Sequence, residues 1–266
     1  HFENDELDLT EKWLNQLIKP GSSLGGARPK ATVADTKDQL WIAKFPSKND
    51  ENDTGAWEMA VHDLAALCGL NVPEAKLEKF SPLGSTFLIK RFDRLGSKRI
   101  HFASAMTLLG KADGASAADG SSYLDIAAFI KSYGAQPRRD LFELWKRIVF
   151  NMAVTNTDDH LRNHAFILTD KGWILSPLYD VNPVPYGDEL SLNVDEEDNR
   201  IRIRLAVEVA VRFGIPKVDA EGYAKDILKT VRDNWKKTAA GYGLTRRQIE
   251  EMRPAFSACY EQKAAE

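Results

Sequence analysis

Two carboxylates and a carboxamide stand at informative spacings in the middle of this chain. The stretch Asn156–Thr157–Asp158–Asp159–His160–Leu161–Arg162–Asn163 is answered by Tyr179–Asp180, with Asp180 seventeen residues after Asn163. Asp and Asn side chains offer the hard oxygen donors that Mg²⁺ prefers. Phosphoryl transfer needs such ligands, a carboxylate near the acceptor hydroxyl and cations on the phosphates. Taken singly, each of these residues reads as an ordinary turn or N-cap side chain, because Asn, Asp and Thr bond local backbone groups. Taken together, with a hairpin between them, they read as one base and two metal ligands.

Asp158 precedes Asn163 by five residues, the separation between base and metal-binding Asn in a protein-kinase catalytic loop. Asp159 misses that spacing by one, so the base role falls to Asp158 and the metal to Asn163 and Asp180. His160 fits a bracing role in the loop, and His164 falls on the hairpin with no chemistry of its own. His1, His62 and His101 have no ligand-like spacing with these, which argues against zinc.

The elements that must position this set follow from periodicity and turn residues. Ala165–Leu168 and Trp173–Leu175, across Thr169–Asp170–Lys171–Gly172, form the hairpin that returns the chain toward Asp180. Upstream, Ala31–Val33 and Leu40–Phe45 are β-prone runs around the polar turn Asp35–Asp38. Thr54–Leu70 carries Trp57, Val61, Leu64 and Leu67 at helical spacing and stops at Gly69 with Pro73 beyond. Glu74–Phe80 and Thr86–Phe92 are two more strands, giving a β-β-α-β-β order like a small nucleotide-binding lobe. After about residue 100 the pattern turns helical: Tyr123–Tyr133, then Arg139–Val154 with Leu141, Leu144, Ile148 and Met152 on one face. Further helical segments lie near 202–213, 219–238 and 245–264, while Lys111–Ser122, rich in Ala, Gly, Ser and Asp, reads as a mobile loop. The acidic run Asp195–Asp198 reads as a solvated turn.

Bulk properties exclude some classes. The chain has 266 residues, 36 Lys and Arg against 39 Asp and Glu, a net charge of −3, so no broad basic nucleic-acid face is expected. Cys68 and Cys259 make no metal-ligand spacing, and no apolar run approaches a membrane span. A reducing cytoplasm and no membrane partner are the natural expectation. The first residue is His1 rather than Met, which fits a fragment or a processed chain.

Five blocks in order resemble the HipA-type serine/threonine kinases, the toxin components of bacterial toxin–antitoxin modules. They are Ser23–Leu24–Gly25–Gly26–Ala27–Arg28–Pro29–Lys30, Trp41–Pro46, Lys90–Arg94, Thr157–Asn163 and Leu178–Asp180. The resemblance implies an α+β, two-lobed protein-kinase-like fold (PI3/4-kinase-related). A small β-rich lobe over 1–91 would be followed by a mainly helical lobe over 92–266. It implies ATP and Mg²⁺ as cofactors. Lys44, embedded in an apolar strand, would grip the ATP phosphates, with Glu58 on the next helix as the acid its burial demands. Lys90–Phe92 would join the lobes, backbone groups bonding adenine and Phe92 packing on it; the family more often has an acid at the place of Lys90.

The segment Ser23, Leu24, Gly25, Gly26, Ala27 would lie over the phosphates and offer backbone N–H groups. Ser23, with Ser22 as the adjacent alternative, matches a serine that the family autophosphorylates, adding about two negative charges where ATP phosphates bind. Arg162 and Arg94 are candidate supporting cations, each reading equally well as a solvated surface arginine. The implied partners are a HipB-like DNA-binding antitoxin, DNA only through it, and a protein substrate of the translation machinery such as an aminoacyl-tRNA synthetase. The family commonly carries a further N-terminal subdomain, for which only about twenty residues precede the phosphate loop here. Two rivals stand beside this reading: a small-molecule kinase of the aminoglycoside or choline type, and a non-catalytic binding module of kinase-like shape.

Overall fold

The computed structural model describes residues 28–96 and 98–260. The first half of the architecture is one antiparallel sheet with a helix beneath it. β1 (Lys30–Ala34) and β2 (Leu40–Lys44) pair with Lys30 opposite Lys44. The turn between them is made by Asp35, whose carboxylate accepts the amides of Lys37 at 2.8 Å and Gln39 at 2.9 Å. β3 (Ala75–Ser81) and β4 (Gly84–Lys90) complete the sheet in the order β1-β2-β4-β3. The β2–β4 register sets Trp41 against Lys90 and Lys44 against Phe87.

α1 (Thr54–Leu67) buries Trp57, Val61 and Leu64, the positions that the helical spacing singles out. It ends three residues before the expected Leu70, because Cys68 caps it and Gly69 turns away at φ +69°. Its other end is pinned to the sheet. Asp53 accepts the amide of Ala56 at 3.1 Å as N-cap, and also the amide and hydroxyl of Ser85, at 3.1 and 2.8 Å, at the start of β4.

The second half is mainly helical. A short ribbon, β5 (Arg94–Leu95) and β6 (Lys98–Arg99), precedes β7 (Phe102–Ser104) and the single turn α2 (Ala105–Leu108). α3 (Tyr123–Tyr133) and α4 (Pro137–Ala153) follow, then β8 (Ala165–Thr169) and β9 (Gly172–Leu175). β8 lies between β7 and β9 in a second small antiparallel sheet. Leu141, Leu144, Ile148 and Met152 all face the core, as the period of α4 requires. α5 (Ile203–Val209), the long α6 (Lys217–Gly241) and α7 (Arg246–Glu251) close the bundle, and Trp235 of α6 stacks on Phe256 at 4.2 Å.

Three sequence expectations need correcting. The segment 111–122 is not a free loop: Ala117 donates to the Ser191 carbonyl at 2.7 Å, and Ser122 bridges Asn193 before capping α3. The helix expected over 202–213 tightens to 3₁₀ from Ala210. The last expected helix breaks after Glu251, because Pro254 cannot donate into an α-helical ladder, and a 3₁₀ segment Arg253–Cys259 takes over.

Candidate active site

Lys44 ends β2 with its side chain largely buried, so its ammonium must find anions. It finds two. Nζ lies 2.5 Å from Glu58 Oε1 and 2.7 Å from Asp180 Oδ1. Burial alone would lower the Lys44 pKa, but Glu58 and Asp180 outweigh it and raise it above the ordinary value. Burial raises Glu58 in spite of Lys44, and the nearby Asp180 charge adds to that rise. Burial works the same way on Asp180, yet Lys44, by charge and hydrogen bond, prevails and holds it below its ordinary value. Asp180 takes φ +60°, a left-handed conformation that costs a non-glycine residue and is kept only where surroundings impose it.

The loop between α4 and β8 carries the other candidates. Thr155, at φ +50°, turns the chain out of α4. Asp158 is the most exposed of the set, with 83 % of its side chain accessible. Its carbonyl accepts the Asn163 side-chain amide at 2.9 Å and the His160 amide at 3.0 Å, which folds 158–163 into a closed turn. With its nitrogen committed there, Asn163 has its carboxamide oxygen left for a cation. Asn163 and Asp180 each carry hard oxygens of the kind Mg²⁺ binds. Among the described residues no three His, Cys, Asp or Glu side chains gather as a metal cage. His160 reaches toward Arg162, at 3.2 Å, and Asp158, at 4.0 Å, in keeping with a bracing role.

The remaining candidates are engaged with local partners. Lys90 pairs with Glu74 at 3.2 Å, and the amides of Lys90 and Arg91 are spent on the carbonyls of Glu74 and Leu40. Phe92 packs against Phe102 and Tyr179, with ring centroids 5.6 and 5.7 Å away. Tyr179 in turn donates to the Arg162 carbonyl at 2.7 Å. The Arg162 guanidinium pairs with Asp113 of the 111–122 segment, and Arg94 pairs with Asp93. Ser22, Ser23, Leu24, Gly25, Gly26 and Ala27 lie outside the described residues. Their neighbour Arg28 holds Asp50 at 3.0 Å and Thr54, the first residue of α1, at 2.9 Å.

Sequence reasoning missed the residues beneath the loop. His164, read as unremarkable, is completely buried and bonds Asp159 Oδ2 at 2.9 Å. Tyr123 of α3 and Asn151 of α4 reach the same oxygen at 2.7 and 2.6 Å. Burial works to raise Asp159, but His164, Tyr123 and the more distant Arg147 hold its carboxyl below the ordinary value. An available signal was Asn151, a carboxamide one turn after the equally buried Arg147 on the core side of α4.

Comparison with known proteins bears on this geometry. The family model described as the HipA-like C-terminal domain matches residues 22–235. A protein of Sinorhizobium fredii named "Putative kinase Y4mE" is 28% identical over 221 residues, covering 79% of this chain and 46% of that protein. A second from the same organism, "Putative kinase Y4dM", is 28% identical over 163 residues, covering 55% of this chain and 38% of its own length. The chain thus spans less than half the length of either relative. Among solved structures, HipA of Shewanella oneidensis MR-1, determined with HipB and operator DNA, aligns with TM-score 0.73 at 16% identity, over 96% of this chain and 70% of that one. The proinflammatory kinase CtkA of Helicobacter pylori aligns with TM-score 0.56 at 17% identity, over 93% of this chain and 96% of its own. At these identities the structures speak for the fold: a small sheet lobe joined to a helical region. With a family match across most of its length and that fold, the chain belongs to the HipA-like C-terminal domain family.

Proposed function

We propose that the chain is the catalytic part of an ATP- and Mg²⁺-dependent serine/threonine protein kinase of HipA type. The observation that carries this reading is the bridge Glu58–Lys44–Asp180, which joins the sheet lobe to the residue that follows the catalytic-loop hairpin. The same ammonium that couples two carboxylates here is the natural grip for ATP phosphates. Asn163 and Asp180 are the residues that would hold Mg²⁺, which would supply positive charge against the charge that develops on the transferring phosphate. In this reading Asp158 accepts the proton of the acceptor hydroxyl, and Lys44, oriented by Glu58, holds the phosphates.

The exposure of Asp158 suits a base that meets a macromolecular acceptor. The lobes then meet between residues 91 and 92 and Lys90–Phe92 lies at adenine, with the amides of Lys90 and Arg91 already spent in the sheet. Arg162 supports the phosphates once released from Asp113. The segment 22–27, outside the described residues, is the part proposed to meet the phosphates, with Ser23 or Ser22 taking one by autophosphorylation, which would shut the site. A HipB-like antitoxin, through which DNA is reached, is the partner, and a cytoplasmic protein of translation is the substrate. Among the described residues no helix is long and apolar enough to cross a membrane.

The test is incubation with radiolabelled ATP and Mg²⁺, followed by mass spectrometry of the products. Phosphate on Ser22, Ser23 or a protein acceptor, lost in Asp158→Ala and Asp180→Ala, is the expected result. Phosphate on a metabolite alone assigns a small-molecule kinase instead. Absence of Mg·ATP binding assigns a non-catalytic module.

A further inference from the structure

Asp158 and Asp159 are neighbours of opposite habit. The first side chain is 83 % exposed and the second 1 %. A buried carboxylate survives only with donors around it, and Asp159 Oδ2 collects three, from three elements. Asn151 comes from the last turns of α4, Tyr123 opens α3, and His164 stands directly before β8. The amide of Asn151 is oriented by a second bond, since its Oδ1 accepts Asn156 Nδ2 at 3.1 Å. The His164 ring also meets Tyr123 edge-on, with centroids 5.7 Å apart.

The loop is therefore closed by two parallel rungs, each spanning five residues. One joins Asp158 to Asn163 and holds the residues proposed to face Mg·ATP. The other joins Asp159 to His164, one residue further along and one layer deeper. A buried anion and its donors can often be exchanged as a set for apolar side chains without loss, whereas removing one member is costly, which suits a role in fixing position. We propose that Asp159, through His164, Tyr123 and Asn151, is the positioning residue of the catalytic loop. It fixes the outer rung against α3 and α4, so that Asp158 and Asn163 keep their places during transfer. The inference rests on the kinase reading above.

The test compares Asp159→Asn, His164→Phe and His164→Gln with the unaltered chain. Glutamine can return a donor to the place of the imidazole Nε2, whereas phenylalanine fills the volume without one. Three quantities are measured: ADP release as kcat and KM for ATP, nucleotide affinity by fluorescence titration, and hydrogen exchange of the peptide spanning 156–164. The expected result is a kcat lower by roughly 10–100-fold in Asp159→Asn and His164→Phe, the scale set by ångström misplacement of reacting groups. Their KM and nucleotide affinity stay near those of the unaltered chain, and faster exchange is confined to that peptide. His164→Gln restores both kcat and protection.

An active parent beside equally active Asp159→Asn and His164→Phe overturns this inference alone, as does a His164→Gln as poor as His164→Phe. If Asp159→Asn does not fold, the two His164 variants decide. A parent chain that releases no ADP with Mg·ATP overturns the kinase reading and this inference with it.

Discussion

Lys44 and Asp180, 136 residues apart in the chain, meet at 2.7 Å. Glu58 lies on the other side of the same ammonium at 2.5 Å, so one cation satisfies two acids from two parts of the fold. Lys44→Met removes that cation and leaves Glu58 buried and unpaired, which costs about 3 kcal/mol as the broken half of a buried pair. The deficit has a defined pH dependence. Without Lys44, Glu58 is raised further above 4.5, the folded state binds its proton more tightly, and stability falls as pH rises. Thermal melts of Lys44→Met should therefore lie closer to the parent near pH 5 than near pH 8. Lys44→Met with Glu58→Leu should recover part of the stability, Asp180 still lacking its partner, and none of the ATP turnover. A double variant no more stable than the single one would separate the pair from the fold.

Asp158, the proposed base, offers the opposite case, a side chain the fold does not lean on. Its side chain is 83 % exposed, and the loop uses its carbonyl rather than its carboxylate. Asp158→Asn should change stability by no more than about 0.5 kcal/mol, the usual range for surface positions. It should lower phosphate transfer by roughly 10²–10⁴-fold, the contribution of a general base. Paired melts and ADP-release rates check both halves. A variant with parental kcat would remove Asp158 from the mechanism.

α1 carries Glu58, and its seat against β4 depends on Gly55. A Cβ built there falls 2.3 Å from the Ser85 carbonyl oxygen, a backbone atom with no side-chain freedom to yield. Asp53 ties the same helix end to Ser85, so the contact cannot open without losing the cap. Gly55→Ala should cost about 1–3 kcal/mol through overpacking. It should also raise KM for ATP by shifting Glu58 from Lys44, which a calorimetric melt and a saturation curve would measure together. Unchanged KM with a lowered melting temperature would mean that the sheet absorbs the shift.

How much of this was legible depends on how far apart the interacting residues lie. The core face of α4 followed from Leu141, Leu144, Ile148 and Met152, since a helix brings them together by itself. The Thr169–Gly172 turn and the Asp35–Asp38 turn were equally local. Lys44 could be read as needing an acid because a charge in an apolar strand is costly alone, and the family resemblance pointed to Glu58 as that acid. The ordering of 111–122 could not be read, because it hangs on Ser191 and Asn193, more than seventy residues away. His164 was misjudged for a related reason: its partner Asp159 is near in sequence, but Tyr123 and Asn151, which make the site a buried one, are supplied by tertiary packing.

Cys68 and Cys259 illustrate burial acting on reactivity. Cys259 is buried and Cys68 half-buried, and burial pushes both thiols up to about 12 from 9.0. At pH 8 only about one molecule in 10⁴ then carries either thiolate, the nucleophilic form. Iodoacetamide should leave the native chain essentially unlabelled over the time that modifies a free thiol peptide. In urea both cysteines should react at the ordinary rate. Fast native labelling at Cys68 would show that α1 frays at its C-terminal end.

Asp159 should also mark the acid limb of stability. His164, Tyr123 and Arg147 hold its carboxyl below 3.8 against the effect of burial. A depressed carboxylate contributes stability that is complete above its unfolded pKa and is lost as pH falls through its folded one. The window therefore lies below 3.8, with Asn151 adding an uncharged donor from α4. Melting temperatures followed downward from about pH 6 should fall more steeply in the parent than in Asp159→Asn, which has no carboxylate to protonate. The variant should start lower and the two curves should converge at the acid end. Parallel curves would mean that the charge of Asp159 is not what the three donors hold.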